Sequence, residues 1–175
     1  MSITIRQAVP EDAPEIYEMI RALAEYEQEE NSVKVSAENL REQMQLPERP
    51  FECLLAIQNG IACGFALYFY TYSTWEGSRS LYLEDLFVYP TARGTGAGAA
   101  LMTALATIAQ EKNCRRFEWS VLDWNSSAIN FYERLGAEPV SGWTRYRMEG
   151  DTLRNFARDR TTPITTADRL QAKHA

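Results

Sequence analysis

The stretch Leu81–Ala100, LYLEDLFVYPTARGTGAGAA, constrains this chain more than any other. Leu81, Leu83, Leu86, Phe87 and Val88 give an apolar pattern that predicts a central strand of about eight residues. Glu84 and Asp85 interrupt it. Carboxylates are rarely found inside a strand buried on both faces, so this pair is expected to face a cleft or a partner. A short turn, Tyr89-Pro90-Thr91-Ala92, leads into Arg93-Gly94-Thr95-Gly96-Ala97-Gly98-Ala99, which opens a helical pattern running to about Lys112. Glycines let a backbone approach an anion closely, and the first N–H groups of a helix have no partner within it. The helix dipole adds attraction for negative charge, so strand, glycine loop and helix together suit a phosphate. A tight helix entry without a ligand is the alternative reading of the loop alone.

Gly94, Gly96 and Ala99 also fit a dinucleotide fingerprint, with Glu118 about 20 residues further on. Three features oppose it. The linker Tyr89 to Arg93 separates strand from first glycine, where a dinucleotide turn is tight. Arg93 directly precedes the glycines. The strands upstream follow one another as a meander rather than as βαβ units.

The remaining elements follow from periodicity and punctuation. Ile3–Arg6 alternates as a strand. Asp12 is a plausible N-cap for a helix to about Gln28, carrying Ile16, Met19, Ile20 and Leu23. Ser36 caps a second helix with Leu40, Met44 and Leu46, closed by Pro47 and Pro50. Phe51–Ile57 and Ile61–Tyr72 read as strands joined at Asn59-Gly60, a strong hairpin signal. Asn113 is expected to end the glycine-loop helix in a left-handed cap. Phe117, Trp119 and Val121 alternate in a further strand. Asn125 caps a short helix from Ser126 to Leu135, and a last hairpin is expected from Pro139 to Met148. The order, βααβββαβαββ, is a mixed α/β domain over residues 1–157, followed by a polar tail over 158–175.

Composition narrows the chemistry. The chain has 175 residues and a net charge of −6, which disfavours nucleic acid, since neutralising phosphates needs a basic face. The balance suits a cationic small molecule. The single histidine, His174, is next to the last residue. Histidine-based nucleophilic triads and histidine-rich zinc sites are therefore excluded from the body of the fold, and no metal is expected. Proton transfer falls to Glu, Asp, Tyr, Lys or water. Cys53, Cys63 and Cys114 lack metal-ligand spacing and read as reduced packing residues of a cytoplasmic protein. The N-terminus lacks a signal-peptide pattern, and no apolar run approaches a membrane span.

Arg93-x-x-Gly96-x-Gly98 resembles the pyrophosphate loop of the GNAT acetyltransferase superfamily. Tyr26-Glu27, Tyr82-Leu83-Glu84-Asp85, Trp124-Asn125 and Asn130-Phe131-Tyr132 are together similar to the diamine (spermidine/spermine) and thialysine N-acetyltransferases, over roughly residues 3 to 150. The resemblance implies a GNAT fold in which two central parallel strands, around Glu84 and Trp119, splay apart and hold acetyl-CoA. It implies cofactor contacts from Leu86, Phe87 and Val88, whose backbone would polarise the thioester carbonyl. Further contacts are implied from the loop Arg93, Gly94, Thr95, Gly96, Ala97, Gly98 and Ala99, and from Asn125, Ser126 and Ser127. It also implies an amine acceptor held by Tyr26 and Glu27, and a homodimer whose C-terminal strands meet near Trp143–Met148. The chain departs from the diamine enzymes at Val140-Ser141-Gly142-Trp143, where they carry a carboxylate before the Trp.

Acetyl transfer to an amine makes physical demands that these residues can meet. An alkylamine with pKa near 10.4 sits about 3 units above neutrality, so exposing its lone pair costs roughly 4–5 kcal/mol. Glu84 is the candidate base, directly or through a water, with holding the ammonium as its simpler role. A thiolate leaving group needs a proton. Tyr132 is the candidate acid; by spacing alone it would be a core aromatic, and the resemblance assigns it the catalytic role. Trp75 and the Tyr68-Tyr70-Tyr72 series are candidates to line a pocket for an aliphatic cation. The function expected is acetyl transfer from acetyl-CoA to a primary amine of a small cationic substrate. The alternatives are a non-catalytic acyl-CoA sensor, or an enzyme acting on a protein or peptide amine.

Overall fold

A computed structural model describes residues 2–159. The chain divides into two units, Met1–Gly136 and Ala137–Ala175. The first contains β1 (Ile3–Gln7), α1 (Ala13–Glu27), α2 (Ala37–Gln45), β2 (Glu52–Gln58), β3 (Ile61–Ser73), β4 (Ser78–Val88), α3 (Ala97–Glu111), β5 (Arg116–Trp119) and α4 (Ser126–Arg134). Its strands form one sheet in the order β1-β2-β3-β4-β5. Neighbours are antiparallel except β4 and β5, which are parallel. This is the mixed α/β class expected from the sequence.

Local chemistry sets most of the boundaries. Asn59 and Gly60 both adopt positive φ (52° and 80°), the conformation a two-residue hairpin turn requires between β2 and β3. Ser36 Oγ accepts from Asn39 N at 3.1 Å and caps α2. Asn113 is left-handed (φ 55°) just beyond α3, as expected. Asp12 does not cap α1 through its side chain. Its carboxylate instead accepts from Val9 N at 2.8 Å and pairs with Arg6 at 2.6 Å, because a 3-10 turn over Pro10–Asp12 feeds directly into the helix. Leu46 lies past the end of α2 and is exposed.

The sheet separates two apolar clusters. Ile16, Met19, Leu55, Phe65, Leu67 and Phe87 pack on the α1–α2 face. Leu54, Tyr68, Leu81, Leu83, Leu101 and Leu105 pack on the α3 face. Leu83 and Phe87 therefore lie on opposite faces of β4, although four residues of an uninterrupted strand would return a side chain to the same face. The register explains it: Tyr68 pairs with Leu83 but Leu67 pairs with Asp85, so Glu84 is an extra, bulged residue. A one-residue slip exchanges the faces of everything beyond it. Asp85 and Phe87 thereby turn toward α1, and Leu86 and Val88 toward α3.

β4 and β5 pair only from Ser80–Arg116 to Leu83–Trp119. Beyond that pair β4 continues to Val88, whereas β5 stops, short of the expected Val121. The two parallel strands thus part beside the bulge. On the α3 side the opening is closed by α4. A Cβ added at Gly98 would lie 3.4 Å from the Phe131 ring, so the small residue at the start of α3 lets α4 pack closely there.

In the second unit, residues 137–149 form no strand and a helix, α5, covers Gly150–Asp159. The hairpin expected over Pro139–Met148 is not formed. A strand needs a partner edge, and none lies among the described residues of this unit. Its alternating side chains are open to solvent, with Trp143 78% and Tyr146 90% exposed. Helix α5 begins where the sequence showed no periodicity. The expected tail over 158–175 lies outside the described residues, apart from Arg158 and Asp159 at the end of α5.

Candidate active site

The glycine loop connects the end of β4 to α3, where the sequence placed it. Gly94 and Gly96 have φ of 78° and 93°, and nothing lies within 4 Å of where a Cβ would stand on either. Gly96 is the N-cap of α3 and offers no side-chain hydrogen bond, so the helix's first N–H groups remain available to an external anion. Thr95 Oγ1 donates to Ala92 O at 2.7 Å, fixing the loop's shape from within. This open, left-handed entry fits the pyrophosphate of acetyl-CoA. Ala97 is buried, Ala99 half-buried.

Four elements converge where β4 and β5 part. Asn125, 9% exposed, caps α4 by accepting from Ala128 N at 3.1 Å. The same oxygen accepts from Tyr26 Oη at 3.1 Å, tying the end of α1 to the start of α4. Tyr26 also packs against Trp124, ring centroids 6.0 Å apart, and has the Arg93 guanidinium over its ring, 4.9 Å from the centroid. Ser126 and Ser127 occupy the first turn of α4 and are exposed. Tyr132, on α4, packs on Trp119 at 5.0 Å, and Trp119 is the last β5 residue paired with β4. The half-buried Tyr132 ring is therefore held at the mouth of the wedge.

The electrostatics single out a residue that sequence reasoning did not select. Burial pushes the Asp85 carboxyl up to about 6, with Glu84 and then Glu27 adding repulsion. Burial also raises the Glu27 carboxyl, with a further contribution from Glu29. The Tyr132 phenol is pushed up to about 12, chiefly by burial and secondly by Glu27. Glu27 thus lies near enough to both Asp85 and Tyr132 to raise each, so carboxyl groups of α1 and β4 and the phenol of α4 share one neighbourhood. Glu84 lies beside it on the bulge, its side chain exposed. A cation bound here would relieve repulsion among carboxylates. The clue to Asp85 was its adjacency to Glu84; strict alternation would have put it on the Leu83 face, away from α1.

Trp75 is separate from this cluster. It is in the β3–β4 connection, 83% exposed, and Glu84 lies six residues into β4 from Ser78, about 20 Å along a strand. Tyr68 is buried in the α3-side core, Tyr70 packs edge-on against it at 6.1 Å, and Tyr72 is exposed, so this series does not line the wedge as a group. Among the described residues no group of three His, Cys, Asp or Glu side chains is arranged to hold a metal. Among them, too, no helix is long and apolar enough to cross a membrane.

A splayed parallel pair, a glycine-rich helix entry between its strands and an acidic pocket at its mouth define an acyl-CoA-dependent transferase. Residues 14–137 match the Acetyltransferase (GNAT) family, and the chain belongs to that family. It is 40% identical over 168 residues to thialysine N-epsilon-acetyltransferase of Mus musculus, spanning 89% of this chain and 98% of that protein. It is 33% identical to spermidine/spermine N(1)-acetyltransferase-like protein 1 of Homo sapiens, over 87% of this chain and 23% of that protein. An integron cassette protein of V. cholerae has a similar structure, with a TM-score of 0.75 and 28% identity over 90% of this chain and 98% of that one. The chain is an acetyltransferase of this family.

Proposed function

We propose that the protein transfers acetyl from acetyl-CoA to a primary amine of a small cationic substrate, of the lysine-like or diamine/polyamine type, by direct attack. The observation that carries this reading is the convergence of Glu27, Asp85 and Tyr132 where β4 and β5 part. The thialysine and spermidine/spermine enzymes to which the chain is similar support the substrate class.

Acetyl-CoA supplies the thioester; the α3 N-terminus with residues 93–99 holds its pyrophosphate, Asn125, Ser126 and Ser127 contact its arm, and the backbone of Leu86, Phe87 and Val88 polarises the thioester carbonyl. Glu27, Asp85 and Tyr26 hold the acceptor ammonium. Its proton passes to Glu84, directly or through a water that the exposed bulge admits. The amine nitrogen then forms its bond to the acetyl carbon as the carbon–sulfur bond breaks. Tyr132 protonates the departing thiolate. Its weak acidity keeps the phenol protonated at neutral pH, so the proton is in place before sulfur leaves. Trp75 remains a candidate for the distal part of an extended acceptor, given its distance along β4 from Glu84.

The three cysteines are free, which supports a reducing, cytoplasmic setting. A homodimer belongs to the same reading: Trp143, Tyr146 and Met148 offer an apolar surface of the kind a second copy covers. Amine-dependent release of CoA thiol tests the proposal, and tight acetyl-CoA binding without release would instead make the protein a sensor.

A further inference from the structure

Gly64 lies on β3 where the end of β4 passes it, paired with Val88, while Phe65 pairs with Phe87. In a regular ladder most side chains would fit such a position. Here a Cβ on Gly64 would lie 2.6 Å from Phe87 O, 2.9 Å from Val88 Cγ2 and 3.2 Å from Val88 Cα. The space a side chain would take is filled by the Phe87–Val88 peptide and by the Val88 side chain. Gly64 is not among the residues with positive φ, so its own torsions do not call for glycine. The close approach of a neighbouring backbone does.

The backbone directions connect this contact to the chemistry. Tyr89 N donates to Cys63 O at 2.9 Å, so the Tyr89 N–H points toward β3. Main-chain groups alternate sides along a strand, so Phe87 O points the same way, as its approach to Gly64 requires. The N–H and C=O of Val88 then point away from β3. The Val88 carbonyl accepts from Arg93 Nε there, at 3.1 Å. The Val88 N–H shares that side, where β5 no longer pairs, because the parallel ladder ends at Leu83–Trp119. We infer that Gly64 is a positioning residue for acetyl transfer: its missing side chain lets the Phe87–Val88 peptide settle against β3 and so sets where the Val88 N–H meets the thioester carbonyl. The inference rests on the acetyl-CoA reading above and deepens it, naming one donor and the residue that places it. An added methyl needs an ordinary contact of 3.4 Å, so the Phe87 carbonyl would have to retreat by about 0.8 Å. β3 is paired on both edges and the end of β4 on one, so β4 is the strand that yields. A donor moved this far loses much of its hold on a developing oxyanion.

The test uses the full chain and acetyl-CoA labelled with carbon-13 at the thioester carbonyl. Gly64→Ala should lower kcat by about 10–10²-fold while the KM for the amine and the Kd for acetyl-CoA stay within about threefold. Without amine, the infrared carbonyl band of bound acetyl-CoA should lie at lower frequency in the wild type than in Gly64→Ala, reporting the lost polarisation directly. Gly64→Ala also crowds the Val88 side chain and should lower the melting temperature. The double variant Gly64→Ala/Val88→Ala removes the Cγ2 contact but not the one with Phe87 O, which is backbone. It should therefore regain melting temperature without regaining kcat or the wild-type carbonyl band, and it supplies folded protein for both measurements if the single variant does not. Recovery of kcat and melting temperature together in the double variant would reduce Gly64 to a packing residue and overturn the inference. So would an unchanged kcat and carbonyl band in Gly64→Ala, or a loss that lies wholly in acetyl-CoA affinity; each leaves the acetyltransferase reading standing. Failure of every amine to release thiol from the wild type would overturn both.

Discussion

Leu67 stands opposite Asp85 across the β3–β4 ladder, while Tyr68, the next residue, stands opposite Leu83. Two consecutive residues on β3 thus face residues two apart on β4. The bulged Glu84 between them turns Asp85 toward Glu27 and keeps Leu83 in the α3-side core. Without it, Asp85 would point among leucines, where an unpaired carboxylate is untenable. The orientation of Asp85 therefore depends on a one-residue irregularity.

Asp85→Asn should stabilise the protein and impair it. A carboxyl whose folded pKa of about 6 lies above its unfolded value binds its proton more tightly in the folded state. The folded state is favoured as pH falls through 6 toward 4 and is penalised above 6. The substitution should therefore raise stability by about 1–3 kcal/mol at pH 7–8 and by little at pH 4. Thermal unfolding at the two pH values checks this, and kcat/KM for the amine should fall in the same variant.

Tyr132→Phe keeps the packing on Trp119 and removes the phenolic proton. Turnover should drop by roughly 10²–10⁴-fold with little change in melting temperature. Near wild-type turnover would leave Tyr132 as a packing residue.

Gly96→Asp places a side chain and a negative charge at the entry of α3. With φ of 93° at this position the substitution also strains the backbone, by about 1–3 kcal/mol. The fold should survive, because nothing lies within 4 Å of the added Cβ. Affinity for acetyl-CoA, measured by calorimetry, should collapse; unchanged binding would remove the glycine loop from the cofactor site.

Much of this was legible in the sequence. Asn59-Gly60, Ser36, Asn113 and Asn125 act locally, through turn and cap chemistry, and each stands where those residue types require. The glycine loop was readable for the same reason. The bulge at Glu84 was not, because it is settled by which β3 residue each β4 residue pairs with, a non-local property. The same is true at the C-terminus: Trp143–Met148 alternates like a strand, but alternation describes a face and does not supply a partner edge. Asp12 went to Arg6 rather than to capping α1 because a 3-10 turn intervened.

The polar stretch before Trp143 gives a separate prediction about acceptor length. The resemblance to the diamine enzymes implies that Ser141 replaces a carboxylate, and on that reading the far end of spermine should be poorly held. Ser141→Glu should improve kcat/KM for spermine more than for short amines. Equal effects on both would show that the distal end is recognised elsewhere.

Light scattering at micromolar concentration should report a homodimer, with the exposed apolar side chains of residues 140–148 covered by the second copy. A monomer under these conditions would contradict that arrangement.

The central claim is that the acidic pocket at the mouth of the wedge delivers a small amine to acetyl-CoA. Its most direct test is thiol release from acetyl-CoA across a panel of lysine-like amines, diamines, polyamines and a peptide with a free lysine. The account predicts release that requires a small primary amine, saturates with it and falls steeply in Tyr132→Phe. Release with the peptide alone, or acetyl-CoA binding with no amine-dependent release, would contradict it.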